Sequence, residues 1–363
     1  MEKVRIGVIG CGGIATNKHL PAYQNNPNAE LVAFCDNSLE RAERVKTAFG
    51  TENSSVYVDY NEMLENEEID AVLVLTHNSV HCRMAVDALN AGKHVLVEKP
   101  MALTYEEAQQ MIAASKKAGK LLTVGYQNRF NPETLYLKEL AQADTFGEIY
   151  YAEATAIRRR GVPTWGVFLN EKKQGGGPLI DIGTHTLDLT LFMMNNFEPA
   201  YCVGRTFHKL NKETKMANAW GDWDPERFSV EDSAFGFVVM KNGAVINLRS
   251  SWALNYPNPR EAGTLICGTK AGAEYNGTTG DLTINGVMNN RQYKMTPDFS
   301  TGGVAYFEGA GGTKPNELEA ACFLNAILGK GELYVKPEQA ACVTKILEGI
   351  YISAKTGKPY YFD

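Results

Sequence analysis

The chain has no apolar run approaching the roughly 18 residues needed to cross a bilayer, so no membrane partner is expected. It has no excess of positive charge either: 36 Lys and Arg stand against 42 Asp and Glu, a formal net charge of −6. Binding a polyanion needs a basic face, and nucleic acid is set aside as a partner on that ground. The seven cysteines stand singly with no Cys-x-x-Cys pair, mostly inside apolar runs. That scatter reads as buried, reduced thiols in a cytoplasmic protein. Met1 to Ala15 hold too short an apolar run and too many glycines for a secretory signal.

What is present is a globular composition, 44% hydrophobic and 21% charged, over 363 residues, which is long for one core. Two domains are expected. Residues 1–125 alternate short apolar runs with helical periodicity: Val4 to Ile9, Leu31 to Cys35, Ala71 to Leu75, His94 to Val97 and Leu121 to Val124 alternate with Leu39 to Phe49, Cys82 to Ala91 and Tyr105 to Ala118. This is the βαβ rhythm of a parallel sheet covered on both faces, a Rossmann-type α/β domain. Over 126–363 the pattern changes to longer alternating strands, at 147–158, 200–209, 231–240, 243–252 and 263–268, with helices at 132–142, 183–195, 316–328 and 338–355. That predicts an α+β domain on a large, mainly antiparallel sheet. The glycine-rich stretch 301–313 reads as a loop.

Three motifs carry chemistry. Gly10-Cys11-Gly12-Gly13-Ile14-Ala15 matches G-x-G-x-x-(G/A) where the first strand hands over to a helix. Gly10 permits the tight turn, Gly12 lets backbone approach a pyrophosphate, and the helix N-terminus offers N–H groups to it. Asp36 ends the second strand, where a carboxylate accepts from ribose hydroxyls and repels a 2′-phosphate, so NAD is expected over NADP. Glu98-Lys99-Pro100 follows the strand His94 to Val97, at the sheet edge where ligands sit, and the proline makes a cis bond a way to aim Lys99. Gly175-Gly176-Gly177 reads as a flexible loop running into a helix on which Asp181 and His185 are four apart and share a face, with Asp188 close to the same stripe. A carboxylate beside an imidazole is what a general base needs.

In this order the motifs, with the Asn78 to His81 turn, Tyr126 and Arg129-Phe130, resemble the glucose-fructose oxidoreductase / inositol dehydrogenase / rhizopine catabolism (Gfo/Idh/MocA) family over nearly the whole chain. Where members often read Pro-Asn, this chain reads His77-Asn78. The resemblance implies an NAD-dependent oxidoreductase with Lys99 and His185 catalytic and Asp181 supporting them. It implies cofactor contacts from Gly10, Gly12, Gly13, Ile14, Asp36, Asn78, His81, Glu98 and Lys99. Tyr126, Arg159 and Trp165 join Lys99, Asp181 and His185 as the expected substrate contacts. Arginine can bind hydroxyls and an indole face can stack on sugar C–H groups. The expected reaction is reversible oxidation of a secondary hydroxyl of a sugar or cyclic polyol. His185 takes the hydroxyl proton, Lys99 polarises the oxygen, and the hydride goes to nicotinamide.

Two alternatives stand beside it: an NAD-dependent glycosidase working by transient oxidation and elimination, and a non-enzymatic NAD or sugar sensor. His19, His94 and His208 show no partner pattern and read as structural. No metal is expected at His77 and His81 or at Asp181, His185 and Asp188. In the strand Ser233 to Met240 both faces are apolar, which predicts a homodimer or homotetramer through the face its own helices leave open.

Overall fold

A computed structural model of the chain describes residues 3–299 and 314–363. It divides into two units, Met1–Phe130 with Thr313–Ala341, and Asn131–Gly312 with Cys342–Asp363. The stretch 301–313, read above as a loop, lies outside the described residues.

The first unit holds β1 (Val4–Ile9), β2 (Ala29–Cys35), β3 (Ser55–Tyr57), β4 (Ala71–Val74), β5 (His94–Val97) and β6 (Leu122–Val124), with α1 (Leu20–Gln24), α2 (Leu39–Phe49), α3 (Tyr60–Leu64), α4 (His81–Asn90) and α5 (Tyr105–Ala118) among them. The strands form one parallel sheet in the order β3-β2-β1-β4-β5-β6. This is the Rossmann order, whose reversal between β1 and β4 opens a ligand crevice at the carboxyl edge. Local signals fix the helix ends. The Thr104 hydroxyl accepts from the Glu107 amide, and Gly119 closes α5 in the left-handed conformation at φ 62°.

A single domain boundary near 125 does not describe the chain. The later helix α9 (Pro315–Ile327) belongs to the first unit. Its Ala320, Phe323 and Leu324 join the core of Val4, Ile6, Val8, Leu31 and Phe34.

The second unit has α6 (Pro132–Gln142), β7 (Ile149–Ile157), α7 (Glu171–Gln174), α8 (Thr184–Met194), β8 (Pro199–Phe207), β9 (Ser233–Met240), β10 (Val245–Ser251), β11 (Arg260–Gly268), β12 (Ala271–Asn276), β13 (Asp281–Met288), β14 (Arg291–Met295) and β15 (Tyr360–Tyr361). The last helix, α10 (Pro337–Thr356), enters it from Cys342 onward. Its nine-stranded sheet runs β14-β13-β12-β11-β7-β10-β9-β8-β15, antiparallel except for the β7/β10 pair. One face is covered. Ala152, Ala154, Val238, Ile246 and Leu248 are buried there, and Gly204 and Gly236 make room for Ile350 of α10. The other face carries Val203 and Phe237 at 42% and 40% exposure, beside Glu153 and Arg249.

Candidate active site

Candidate site residues of the first unit follow the carboxyl ends of its strands: Gly10 after β1, Asp36 after β2, Asn78 after β4, Lys99 after β5, and the expected substrate contact Tyr126 after β6. Gly10 has φ +97°, and a Cβ on it would stand 2.4 Å from the Leu75 carbonyl oxygen, so both conformation and space demand glycine. Around Gly12 the reverse holds: an added Cβ meets nothing within 4 Å. That open cradle lies at the start of a helical run from Gly13 to Gln24, π-wound over Ala15–His19. Gly10, Gly12, Gly13 and Ile14 thus fit a pyrophosphate. Burial and the Asp36 charge push the neighbouring Cys11 thiol up to about 12, so the turn adds no negative charge.

Asp36 is nearly buried. Its Oδ2 accepts from the Cys11 amide at 2.9 Å, and its Oδ1 accepts from the Ser38 amide and from Arg41 Nη1 at 2.8 Å. The carboxylate expected to face a ribose therefore also braces the glycine turn and is partly neutralised by Arg41.

Lys99 is half-buried, and the Lys99–Pro100 bond is cis. Beneath it lies a cluster that spacing did not reveal. Glu98 Oε1 stands 2.7 Å from His19 Nε2, and Glu98 Oε2 accepts the Lys99 amide at 2.9 Å. Glu319 Oε2 lies 4.0 Å from His19 Nδ1, and burial and then the Glu98 charge raise the Glu319 carboxyl well above its usual range. His19 thus has a carboxyl partner after all, 2.7 Å away on Glu98. Glu98, expected as a cofactor contact, turns these two oxygens inward and shapes the turn that presents Lys99.

His81, also expected at the cofactor, is corrected in the same sense. It is fully buried, and its ring nitrogens face the carbonyls of Pro100 (2.8 Å) and Thr76 (3.1 Å). Burial lowers its pKa and keeps it a neutral tether for that turn. Asn78 is buried at the head of a short helical turn, and Tyr126 is buried at 1% exposure, a core side chain where a substrate contact was expected. His94 accepts the Leu121 amide and is structural, as read from sequence.

In the second unit, residues Leu179–Gly183 form a π turn that runs straight into α8, so the helix begins earlier and wider than its sequence pattern suggests. Asp181 is buried on that turn and its Oδ2 accepts from Trp252 Nε1 at 3.0 Å. Every residue of α8 is buried except His185, which is half-buried. Asp188 is buried within the helix.

Arg159, expected at the substrate, resolves differently. It spends its guanidinium on the carbonyls of Tyr256 and Pro257. Arg158 instead pairs with Glu261, lies 5.2 Å over the Trp220 ring and feels the charge of Asp181. Trp165 is 51% exposed, edge-on to Trp220 and Phe168, and Phe168 in turn touches Trp252. Trp252 is both a fully buried packing residue and the donor to Asp181. Its position one residue past the end of β10 was the available signal.

The comparisons with known proteins agree with these two halves. The family model described as "Oxidoreductase family, NAD-binding Rossmann fold" matches residues 4–126, and the "GFO/IDH/MocA C-terminal domain" matches 134–274. The chain is 35% identical over 360 residues to a D-glucoside 3-dehydrogenase of Escherichia coli, covering 98% of this chain and 96% of that protein. A myo-inositol 2-dehydrogenase of Thermotoga maritima is 31% identical over 191 residues, 53% of this chain and 55% of the other. Among solved structures, a levoglucosan dehydrogenase in complex with NADH and L-sorbose shares the fold at TM-score 0.85 and 22% identity, with 100% of both chains covered.

Proposed function

The chain belongs to the Gfo/Idh/MocA family of NAD-dependent oxidoreductases, and from that premise we propose that it oxidises a secondary ring hydroxyl of a glucoside, with the C3 hydroxyl as the first candidate. The likeness to the D-glucoside 3-dehydrogenase over nearly the whole of both chains supports that choice over an inositol. The observation that carries the chemistry is His185, the one side chain of α8 that is not fully buried, one turn beyond an Asp181 carboxylate held by an indole N–H. An imidazole so placed is a general base for the hydroxyl proton, and the carboxylate supports the charge that forms on it. NAD, held by the Gly10 to Ile14 turn and Asp36, supplies the hydride acceptor. Lys99, a compact ammonium on the Glu98-braced turn, donates to the reacting oxygen and stabilises its developing charge.

The test is a panel of methyl glucosides, levoglucosan, myo-inositol and free aldoses with NAD, read by NADH absorbance and by the position of the carbonyl in the product. Turnover of glucosides to 3-keto products is expected. Turnover of inositol alone would overturn the substrate assignment, and NAD that returns to its starting state while a glycosidic bond breaks would overturn the reaction. The proposal extends to assembly: the exposed face with Val203 and Phe237 is where a second copy packs, in a homodimer or homotetramer. Light scattering at micromolar concentration is expected to show an oligomer, and a monomer would refute this.

A further inference from the structure

The Gly175-Gly176-Gly177 stretch reads in the sequence as a flexible loop, yet it is one of the most tightly packed turns of the second unit. A Cβ on Gly176 would stand 2.0 Å from the Tyr351 hydroxyl oxygen, and one on Gly177 would stand 2.1 Å from the Glu231 carbonyl oxygen. The glycines are there because the Tyr351 side chain and the Glu231 backbone come up against this turn. Glu231 is buried, its Oε2 accepting from the Gly177 amide at 2.8 Å and its Oε1 from the Leu179 amide at 3.2 Å. The Tyr351 hydroxyl of α10 donates to the same Oε1 at 2.8 Å.

The amides that Glu231 holds sit at the start of the segment that carries Asp181 and then His185. The far end of that segment is held as well. Lys138 Nζ of α6 donates to the Phe192 carbonyl and to Asn195 Oδ1, beyond the last turn of α8. An anion at the N-terminus and a cation at the C-terminus both complement the helix dipole.

We propose that Glu231 is a positioning residue for the acid–base helix: its carboxylate holds the Gly177–Leu179 turn and so sets where Asp181 and His185 stand, with Tyr351 keeping it turned inward. This rests on the reading of Asp181 and His185 as the acid–base pair. Four neutral donors, the Tyr351 hydroxyl and the amides of Gly177, Leu179 and Glu231 itself, do not repay the burial of the charge, and burial pushes the Glu231 carboxyl up to about 7. Next to it in the chain, Asp232 turns its carboxylate to the Leu210 and Asn211 amides, and the charge of Glu171 of α7 is felt at Tyr351.

The group is therefore protonated at low pH, where one of the oxygens facing a donor carries a hydrogen and the hold on the turn weakens. As pH rises through about 7 the carboxylate accepts all its donors and the turn is held best. Fold stability moves the other way. The contribution of this raised carboxyl is full below its ordinary 4.5 and is lost as pH rises through about 7.

The variants are Glu231→Gln and Tyr351→Phe, made in the full chain. Four readouts apply: kcat on methyl β-D-glucopyranoside against pH, NADH affinity, hydrogen exchange of the amides over 175–190, and Tm against pH. Glu231→Gln presents its amide N–H where an acceptor is needed. It is expected to lose kcat by on the order of 10- to 100-fold, as misplaced catalytic groups do, with NADH affinity unchanged. Exchange at Gly177 and Leu179 is expected to quicken, and the Tm of the unaltered protein to fall relative to Glu231→Gln as pH rises through about 7. Tyr351→Phe keeps the carboxylate and is expected to show the same pattern a few-fold weaker, which preserves the test if the Gln variant fails to fold. A folded Glu231→Gln protein with unaltered kcat, pH profile and exchange would overturn the proposal. An unaltered protein that turns over no glucoside would overturn the function reading instead, while exchange and Tm still decide the clamp.

Discussion

Two turns of this molecule, Gly10 to Ala15 and Gly175 to Gly183, look alike in sequence and are built for opposite purposes. Both are glycine-rich, and both lead into a helical segment with a π-wound stretch, Ala15–His19 in one and Leu179–Gly183 in the other. At the first, a Cβ on Gly12 meets nothing within 4 Å. At the second, Cβ atoms on Gly176 and Gly177 run into Tyr351 and Glu231. The same helix-terminus physics serves both, since amides at the start of a helix need an anion. The first turn leaves its place open, as the proposed phosphate contact requires, and the second fills it with the protein's own carboxylate. Glycine in one case makes room for a ligand and in the other for a neighbour.

Breaking the chemistry that the second turn supports has the largest expected effect. His185→Ala should lower kcat by about 10² to 10⁴, the usual contribution of a positioned base, with NADH binding little changed. Lys99→Ala should cost a comparable factor, and Lys99→Arg should not restore it, because a planar fork does not reproduce a compact ammonium. The double variant should cost less than the product of the singles if both act in one proton-transfer step. Should His185→Ala keep more than about a tenth of kcat with chemistry limiting, the base assignment is wrong.

The comparison itself is sharpened by one methyl group at each turn. Gly177→Ala forces backbone against the Glu231 carbonyl, and overpacking of this kind typically costs about 1–3 kcal/mol. Its Tm without cofactor should fall by several degrees. Gly12→Ala enters open space, so Tm without cofactor should hold while NADH affinity drops. Equal Tm losses in both would mean that the two turns are packed alike, against what the geometry shows.

The smallest effect is expected at Asp36. An unscreened carboxylate about 4 Å from a 2′-phosphate would cost roughly 4 kcal/mol at an effective dielectric of 20. Arg41 pairs with Asp36 and reduces that. Asp36→Ala should therefore narrow the preference for NAD over NADP by roughly tenfold, about 1.4 kcal/mol, and Arg41→Ala should widen it. Equal catalytic efficiency with the two cofactors in the unaltered protein would overturn the NAD preference.

The sequence was most legible where structure follows from local chemistry. β1, α2, β5 and α5 stand where their periodicity and caps put them, and Gly10, Asp36 and Lys99 all fall at strand ends on the sheet edge that the βαβ rhythm implies. It was least legible along β12 to β14, where Asn276 to Gly280 and Asn285 to Arg291 are polar and glycine-rich. β12 and β13 bury only short alternating sets, Ala273 and Tyr275 in one and Leu282 and Ile284 in the other, and β14 buries no side chain and is held by its pairing with β13. The site was legible as a set of residue types but not as a set of roles. Arg158 and Arg159 are neighbours with the same chemistry just past the end of β7, and only the direction each side chain takes separates the one near Asp181 from the one spent on loop carbonyls.

The sequence by itself determined the Rossmann domain, the antiparallel second sheet, the glycine turn after β1 and the Asp181/His185 spacing, because each is written in periodicity or in residues a few positions apart. Only the tertiary structure decided what braces them. His19 meets Glu98 across 79 residues, Trp252 meets Asp181 across 71, and Tyr351 meets Glu231 across 120. Such pairs leave no local pattern. Their energy comes from burial and hydrogen bonding between segments that become neighbours only once the chain has folded.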